Sequence, residues 1–412
     1  MKRIPLENLA NAMTWHCKFY AVEIRRILKV LATGVDEYGR QVCVSFFGKR
    51  SCAPQSADAQ QYFKLFADFN AQHDIVLATP SEMAQLIKNE QSCPVRTTPA
   101  ADVARKFLAE LFAYRHFYDG KGPQLILPPR PKRPRKVPSR HMPVAKIKWV
   151  DNVIGNNANR PNGVDIWNTW QFIHELEMCS ETKVRVCPYC NADRIYSLVI
   201  EKNGELAVSR SALDHYYAKE EYSYLACSLY NLIPACTRCN SPFKHTYSNN
   251  PNGRRLSHPY EDDFDRELRF SWGKKLPEAC ENNVGPNELV LGLVPRRGAT
   301  AALVRAEESR QVFHLPEVYT QMYSEEACEV AGVFKKLYST WTVETLRQLG
   351  SEITGMQIPD EPTGAEITAA RETVKHLLLH CDFKRQNMNS QSLSKLKIDL
   401  MEELENVEGR AL

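Results

Sequence analysis

The stretch "ACTRCNSPFKH" (residues 235–245) decides how this chain is read. It carries Cys236 and Cys239, three apart, with Asn240 directly after them. Upstream, "VRVCPYC" supplies a second pair, Cys187 and Cys190, and 45 residues separate the two pairs. Each CxxC offers two thiolates at a bite that a tetrahedral ion accepts. One such pair is as well explained by redox chemistry or by chance. Two in one short module point to a structural four-cysteine zinc site. A closed shell of four sulfurs leaves no position for water, so this zinc should fold the module and not react. It should also join the module's start to its end, which makes the segment between them double back.

That segment has readable punctuation. Asn203-Gly204 sits between the strand-like runs "IYSLVI" and "ELAVSRSAL", and both residues of an Asn-Gly turn accept positive φ, so a hairpin is expected. "EEYSYLACSLY" has helical spacing at Tyr222, Leu225, Ala226 and Leu229, and "NLIPAC" reads as a short apolar strand. Asp214 and His215 lie in "LDHYY", and Asn231 heads "NLIPAC". A lone Asp-His pair usually means nothing. Here the doubling back brings it toward Asn240.

In this arrangement the residues resemble the HNH nucleases of the ββα-metal class. The zinc-stapled HNH proteins share the CxxC…DH…N…CxxC[HN] layout, and Asn240 makes this the HNN form. The resemblance implies His215 as general base, Asp214 and Asn240 as ligands of a catalytic divalent ion, and Asn231 as the brace of the loop that holds the base. It is strongest over residues 187–245. The later pattern "FHLPEVYTQMYSEEACEVAGVFKKLY" is similar to HNH subunits of the Septu and retron-associated anti-phage systems, with less specific motifs. The first 150 residues show no such likeness.

The chemistry asks for the same residue types. Phosphodiester hydrolysis needs an activated water, an offset for charge developing on the phosphate, and a stabilised leaving oxygen. A carboxylate and an amide oxygen, completed by waters, suit Mg²⁺ or Mn²⁺. An unperturbed histidine has a pKa close to neutrality, so His215 can accept a proton from water. One ion touching a non-bridging oxygen and the departing 3′ oxygen would leave 5′-phosphate and 3′-hydroxyl ends. Asn240 is expected to begin a helix, with Pro242 in its first turn. Lys244, four residues on, is a candidate phosphate contact, with an exposed lysine as the plain alternative. His245 and His258 are candidates for the ion's neighbourhood, although a structural or surface role suits each better.

The rest of the chain bounds the reading. It has 412 residues, enough for two to three domains, and a net charge of +4, too small to argue for nucleic acid by itself. Residues 128–148 hold eight Lys or Arg, six Pro and no acid. This reads as a semi-rigid linker, or as an arm along phosphates. There are 13 cysteines; the nine outside the knuckles are expected to be plain thiols of a cytoplasmic protein. No signal-peptide stretch and no run of eighteen apolar residues is present, so no membrane partner is expected.

The fold expected is α+β. It has a mixed N-terminal domain at 1–122, a basic linker at 123–150, the zinc-stapled HNH domain at 151–268 and a helical region at 269–412. Within these, residues 22–35 and 102–117 have helical spacing, "RQVCVSFFG" looks like a strand, residues 165–180 should lead into the nuclease as a helix, and "KLKIDLMEELENV" could be a small partner helix. The function expected is a metal-dependent endonuclease acting on DNA as the effector of a bacterial anti-phage system. The resemblance implies a partner such as an ATPase subunit, and the chain has no GxxxxGK[ST] of its own. The alternatives are cleavage of RNA such as tRNA, and a zinc-stabilised adaptor that binds nucleic acid without cutting it.

Overall fold

The computed structural model describes residues 3–4, 9, 13, 21–35, 43–46, 49–52, 56–112, 124–126, 184–196, 198–202, 205–209, 211–245, 247–272, 289–296, 298–349, 351 and 358–408. The expected helix at 165–180 and the basic segment at 128–148 lie outside these residues. The architecture is a mixture of helices and small antiparallel sheets.

The N-terminal part contains α1 (Val22–Thr33), β1 (Cys43–Phe46), β2 (Lys49–Cys52), α2 (Ala57–His73), α3 (Pro80–Gln91), α4 (Pro99–Leu111) and β3 (Gln124–Ile126). Ser56 caps α2 through the Ala59 N–H. Thr79 and Glu82 form a capping box on α3, with Pro80 in the first turn, where its missing N–H costs nothing. Tyr62, Phe63, Phe66, Leu86, Ile87 and Leu108 are fully buried and form the centre of this packing. The strands order β2-β1-β3. The pairing of β3 with β1 carries the sheet past residue 122, so the expected linker boundary at 123 falls before the last strand of this sheet.

The middle of the chain folds as β4 (Leu198–Lys202) with β5 (Glu205–Ser209), then β6 (Ala212–His215) with β7 (Leu232–Ala235). Lys202 pairs with Glu205, and the Asn203-Gly204 pair between them lies outside the described residues. In β6–β7, Asp214 faces Ile233 and His215 faces Leu232. A short helical turn follows at once, and its π-type part is Cys239–Phe243. Asn240 sits inside this turn and does not begin it: its N–H bonds back to the Cys236 carbonyl at 3.0 Å. Pro242 is likewise inside the turn.

The expected helix at residues 222–229 is replaced by two 3₁₀ turns, Ser223–Leu225 and Leu229–Asn231. The carbonyls an α-helix would use are engaged elsewhere. Leu225 C=O accepts from Asn231, and Ala226 C=O meets His215.

The C-terminal part holds α5 (Phe264–Glu267), β8 (Leu268–Ser271), β9 (Gly292–Pro295), α6 (Ala301–Val312), α7 (Leu315–Met322), α8 (Ser324–Lys335), α9 (Val343–Leu349), α10 (Gly364–Leu378) and α11 (Ser394–Glu408). β8 pairs antiparallel with β9, so the expected boundary at 268–269 falls inside a paired strand. The stretch expected to be a partner helix is α11, and it is a core element. Leu396, Ile398, Leu400, Met401 and Leu404 are buried along it. The Trp272 indole donates to Leu400 C=O at 3.2 Å. Lys395, with no exposure, donates to Asp265 and Asp399, each at 2.8 Å. Among the described residues, no helix is long and apolar enough to cross a membrane.

Candidate functional site

Cys187, Cys190, Cys236 and Cys239 converge, with their sulfurs all within 4.8 Å of one another and all four side chains buried. Cys190 Sγ lies 4.0 Å from Cys236 Sγ. A tetrahedral ion with metal–sulfur bonds of about 2.3 Å has sulfur–sulfur edges of about 3.8 Å, so the cluster is sized for a metal ion. Local backbone forms each knuckle. Cys187 N–H bonds to Asp193 C=O at 2.9 Å, and Asn191 N–H bonds to Cys187 C=O at 2.8 Å. Asn191 takes the left-handed conformation (φ 56°) that this reversal needs and that Asn tolerates. An ion pair from Arg238 to Asp193 (2.8 Å) joins the second knuckle to the first.

The C-terminal helices hold the first knuckle in place. Tyr319 OH donates to Cys190 C=O at 2.6 Å. The Tyr189 ring stacks on Phe313 at 4.6 Å. Asn191 Oδ1 accepts from Lys395 N–H at 2.9 Å, and its Nδ2 donates to Met388 C=O at 2.9 Å, so the knuckle caps α11. These partners had no signal in the sequence.

Asp214 and His215 stand at the end of β6 next to this cluster. Asp214 is buried and accepts from Tyr189 OH on Oδ2 (2.7 Å) and from Lys244 Nζ on Oδ1 (2.8 Å). His215 is half-buried, and its Nε2 sits 2.9 Å from Ala226 C=O. A carbonyl only accepts, so this contact assigns the proton to Nε2 and leaves the Nδ1 lone pair open. Burial pushes the His215 pKa below its ordinary value. The Ala226 carbonyl opposes that shift, and the charges of Lys219 and Lys244 add to it. The imidazole is therefore neutral at neutral pH, the form a proton acceptor requires.

Asn231 has no exposure and spans the loop between the two strands. Its Oδ1 accepts from Tyr217 N–H at 2.7 Å, and its Nδ2 donates to Tyr217 C=O (3.1 Å) and Leu225 C=O (2.9 Å). Comparison with known proteins returns no matching family model, no matching curated protein and no matching solved structure.

Asn240 lies one residue past Cys239, half-buried, and among the described residues its carboxamide makes no hydrogen bond. Lys244 departs from expectation. It is buried, and its Nζ is turned inward to Asp214 Oδ1 and to the His215 carbonyl, so it is not displayed for a phosphate. The cause is local: the π-type turn brings Lys244 N–H onto Cys239 C=O and aims the side chain at β6. His245 is exposed with a positive φ of 29°. His258 is buried against the Tyr216 ring at 4.1 Å, and its Nδ1 accepts from Tyr260 N–H at 3.2 Å, which is a packing role.

Among the described residues, Asp214 belongs to no cluster of three or more metal-ligating His, Cys, Asp or Glu side chains. A divalent ion there would rely on this one carboxylate, an amide oxygen and waters, which is the hard-cation donor set. A carboxylate has about four lone-pair sites, and Tyr189 and Lys244 take two of those on Asp214. Two sites remain on Asp214 for such an ion, and the Lys244 ammonium at 2.8 Å competes with it for the carboxylate.

Proposed function

We propose that this chain is a metal-dependent HNH endonuclease of the ββα-metal class, stapled by zinc at the four cysteines. The observation that carries the reading is the junction of β6, β7 and the helical turn. One end of a hairpin presents Asp214 and His215, the loop behind them is braced by a buried Asn231, and the turn that follows carries Asn240. Four thiolates with no carboxylate or water position favour zinc in a structural role.

When bound at Asp214 and Asn240, Mg²⁺ or Mn²⁺ supplies charge to offset the developing negative phosphate and the leaving oxygen. The chain's own residues do the rest. His215 takes a proton from the attacking water on Nδ1, while Ala226 C=O holds Nε2–H and fixes the ring. Asn231 keeps the 216–226 loop rigid, so the position of that carbonyl does not drift. Asp214 anchors the ion. DNA is the proposed substrate, with RNA such as tRNA as the alternative. The proposed setting is a bacterial anti-phage system in which an ATPase subunit restrains or triggers the nuclease, supported only by the sequence resemblance.

The test is direct. Purified full chain with Mg²⁺ or Mn²⁺ should cut plasmid DNA, and His215→Ala should lower the rate at least about 10²-fold with the fold intact. Cleavage of total RNA but not plasmid would move the substrate to RNA. Nucleic-acid binding without cleavage, unchanged in His215→Ala and Asp214→Asn, would leave the adaptor reading.

A further inference from the structure

Asp214 belongs to neither cysteine knuckle, yet both knuckles reach it. Tyr189 lies between Cys187 and Cys190, and its hydroxyl donates to Asp214 Oδ2 at 2.7 Å. Lys244 lies five residues beyond Cys239, and its Nζ donates to Asp214 Oδ1 at 2.8 Å and to the His215 carbonyl. Tyr189, Asp214 and Lys244 are each under 5 % exposed. Each carboxylate oxygen is thus addressed by a different half of the four-cysteine cluster.

We infer that Tyr189 and Lys244 are positioning residues that make the orientation of Asp214 depend on the loaded state of the four-cysteine centre. The Asp214 backbone is set by its pairing with Ile233, which fixes where the carboxylate starts but not how it turns. Its rotation is stopped by the two donors. The four sulfurs of the two knuckles lie within 4.8 Å of one another, so a metal bridging them holds the two donors at that spacing. Without it the four buried sulfurs lose their common bond, the spacing between the knuckles is held by the surrounding protein contacts alone, and the hydrogen-bonded frame of the carboxylate loosens. The structural ion therefore controls a second, chemically different site through one phenol and one ammonium. This rests on the nuclease reading for what Asp214 does, though not for how it is held.

The test uses the full chain, wild type against Tyr189→Phe, which removes one oxygen and keeps the ring on Phe313. Three quantities are read: zinc content, amide hydrogen exchange across residues 212–217, and Mn²⁺ binding followed by electron paramagnetic resonance. Tyr189→Phe should keep its zinc. Exchange in that segment should rise about tenfold, the loss expected for one hydrogen bond to a charged acceptor. Half-saturating Mn²⁺ should rise by a similar factor, and excess Mn²⁺ should recover part of the lost cleavage rate. Stripping zinc from the wild type with a chelator should exceed both effects. Wild-type exchange and wild-type Mn²⁺ affinity in Tyr189→Phe overturn the inference. So does loss of zinc in that variant, because Tyr189 then serves the cysteines and not the carboxylate. If the wild type binds no Mn²⁺ but exchange still responds as stated, the coupling stands and the nuclease reading falls.

Discussion

The Asn231 side chain pairs with the backbone of Tyr217 as a neighbouring strand would, accepting from its N–H at 2.7 Å and donating to its C=O at 3.1 Å. A third bond, to Leu225 C=O at 2.9 Å, closes the far side of the loop. Both ends of the loop that frames His215 are therefore held by one buried amide. Asn231→Ala leaves the Tyr217 N–H and C=O without their partner, while Leu225 C=O keeps the Ser228 N–H at 3.0 Å. Each unsatisfied buried group costs about 1–3 kcal/mol, so a loss of roughly 2 kcal/mol or more is expected in urea unfolding. A change under about 1 kcal/mol would show that water replaces the amide.

Acid should inactivate the proposed nuclease from below the ordinary histidine range. Burial lowers the His215 pKa, so its proton-accepting form is full at neutral pH and is lost only as pH falls below about 6.5. A pH–rate profile at saturating Mg²⁺ should be flat across neutrality on this limb. An inflection above pH 7 would contradict the assigned environment.

Stability should follow the same sign through His258. Its pKa is depressed to about 3, chiefly by burial, with Arg255, Arg305 and Lys244 adding to the lowering and Asp262 opposing it. The unfolded chain therefore binds this proton first. Stability is full above about pH 6.5 and falls as pH drops toward 3, with a slope of about 1.4 kcal/mol per pH unit from this group. His258→Gln should flatten that slope in urea midpoints measured from pH 4 to 7.

One metal ion should co-purify with each chain. Replacing any of Cys187, Cys190, Cys236 or Cys239 with Ser should release it, seen by elemental analysis, and should loosen the module by amide hydrogen exchange. Retention of a full equivalent after Cys239→Ser would show that the ion sits elsewhere.

The ion cluster beneath α11 gives a separate test. Lys395 has no exposure and neutralises Asp265 and Asp399. Arg296 and Arg385 reach the same two acids from the rim. Lys395→Met removes the buried donor shared by both acids while the two arginines remain, and should cost about 1–3 kcal/mol in chemical denaturation, although it touches no cysteine.

What the sequence made legible was short-range. CxxC pairs, an Asn-Gly turn and an apolar strand each carry their signal within a few residues, and β4–β5, β7 and the four-cysteine cluster follow them. What stayed hidden depends on distant packing. Tyr189 looks like any aromatic until Asp214 arrives 25 residues later. Tyr319 lies 129 residues from the carbonyl it satisfies. The helical spacing of Tyr222, Leu225, Ala226 and Leu229 misled, because tertiary partners took the Leu225 and Ala226 carbonyls that a helix needs. Lys244 misled for a related reason: a π-type turn points its side chain inward where an α-turn's register suggested solvent.

The cap that Asn191 places on Lys395 spans 204 positions of chain. During synthesis the first knuckle leaves the ribosome long before the segment it terminates, so its amide must bond water until that helix arrives. Maturation of this region is thus ordered in time by the primary structure itself: cysteines first, closure last.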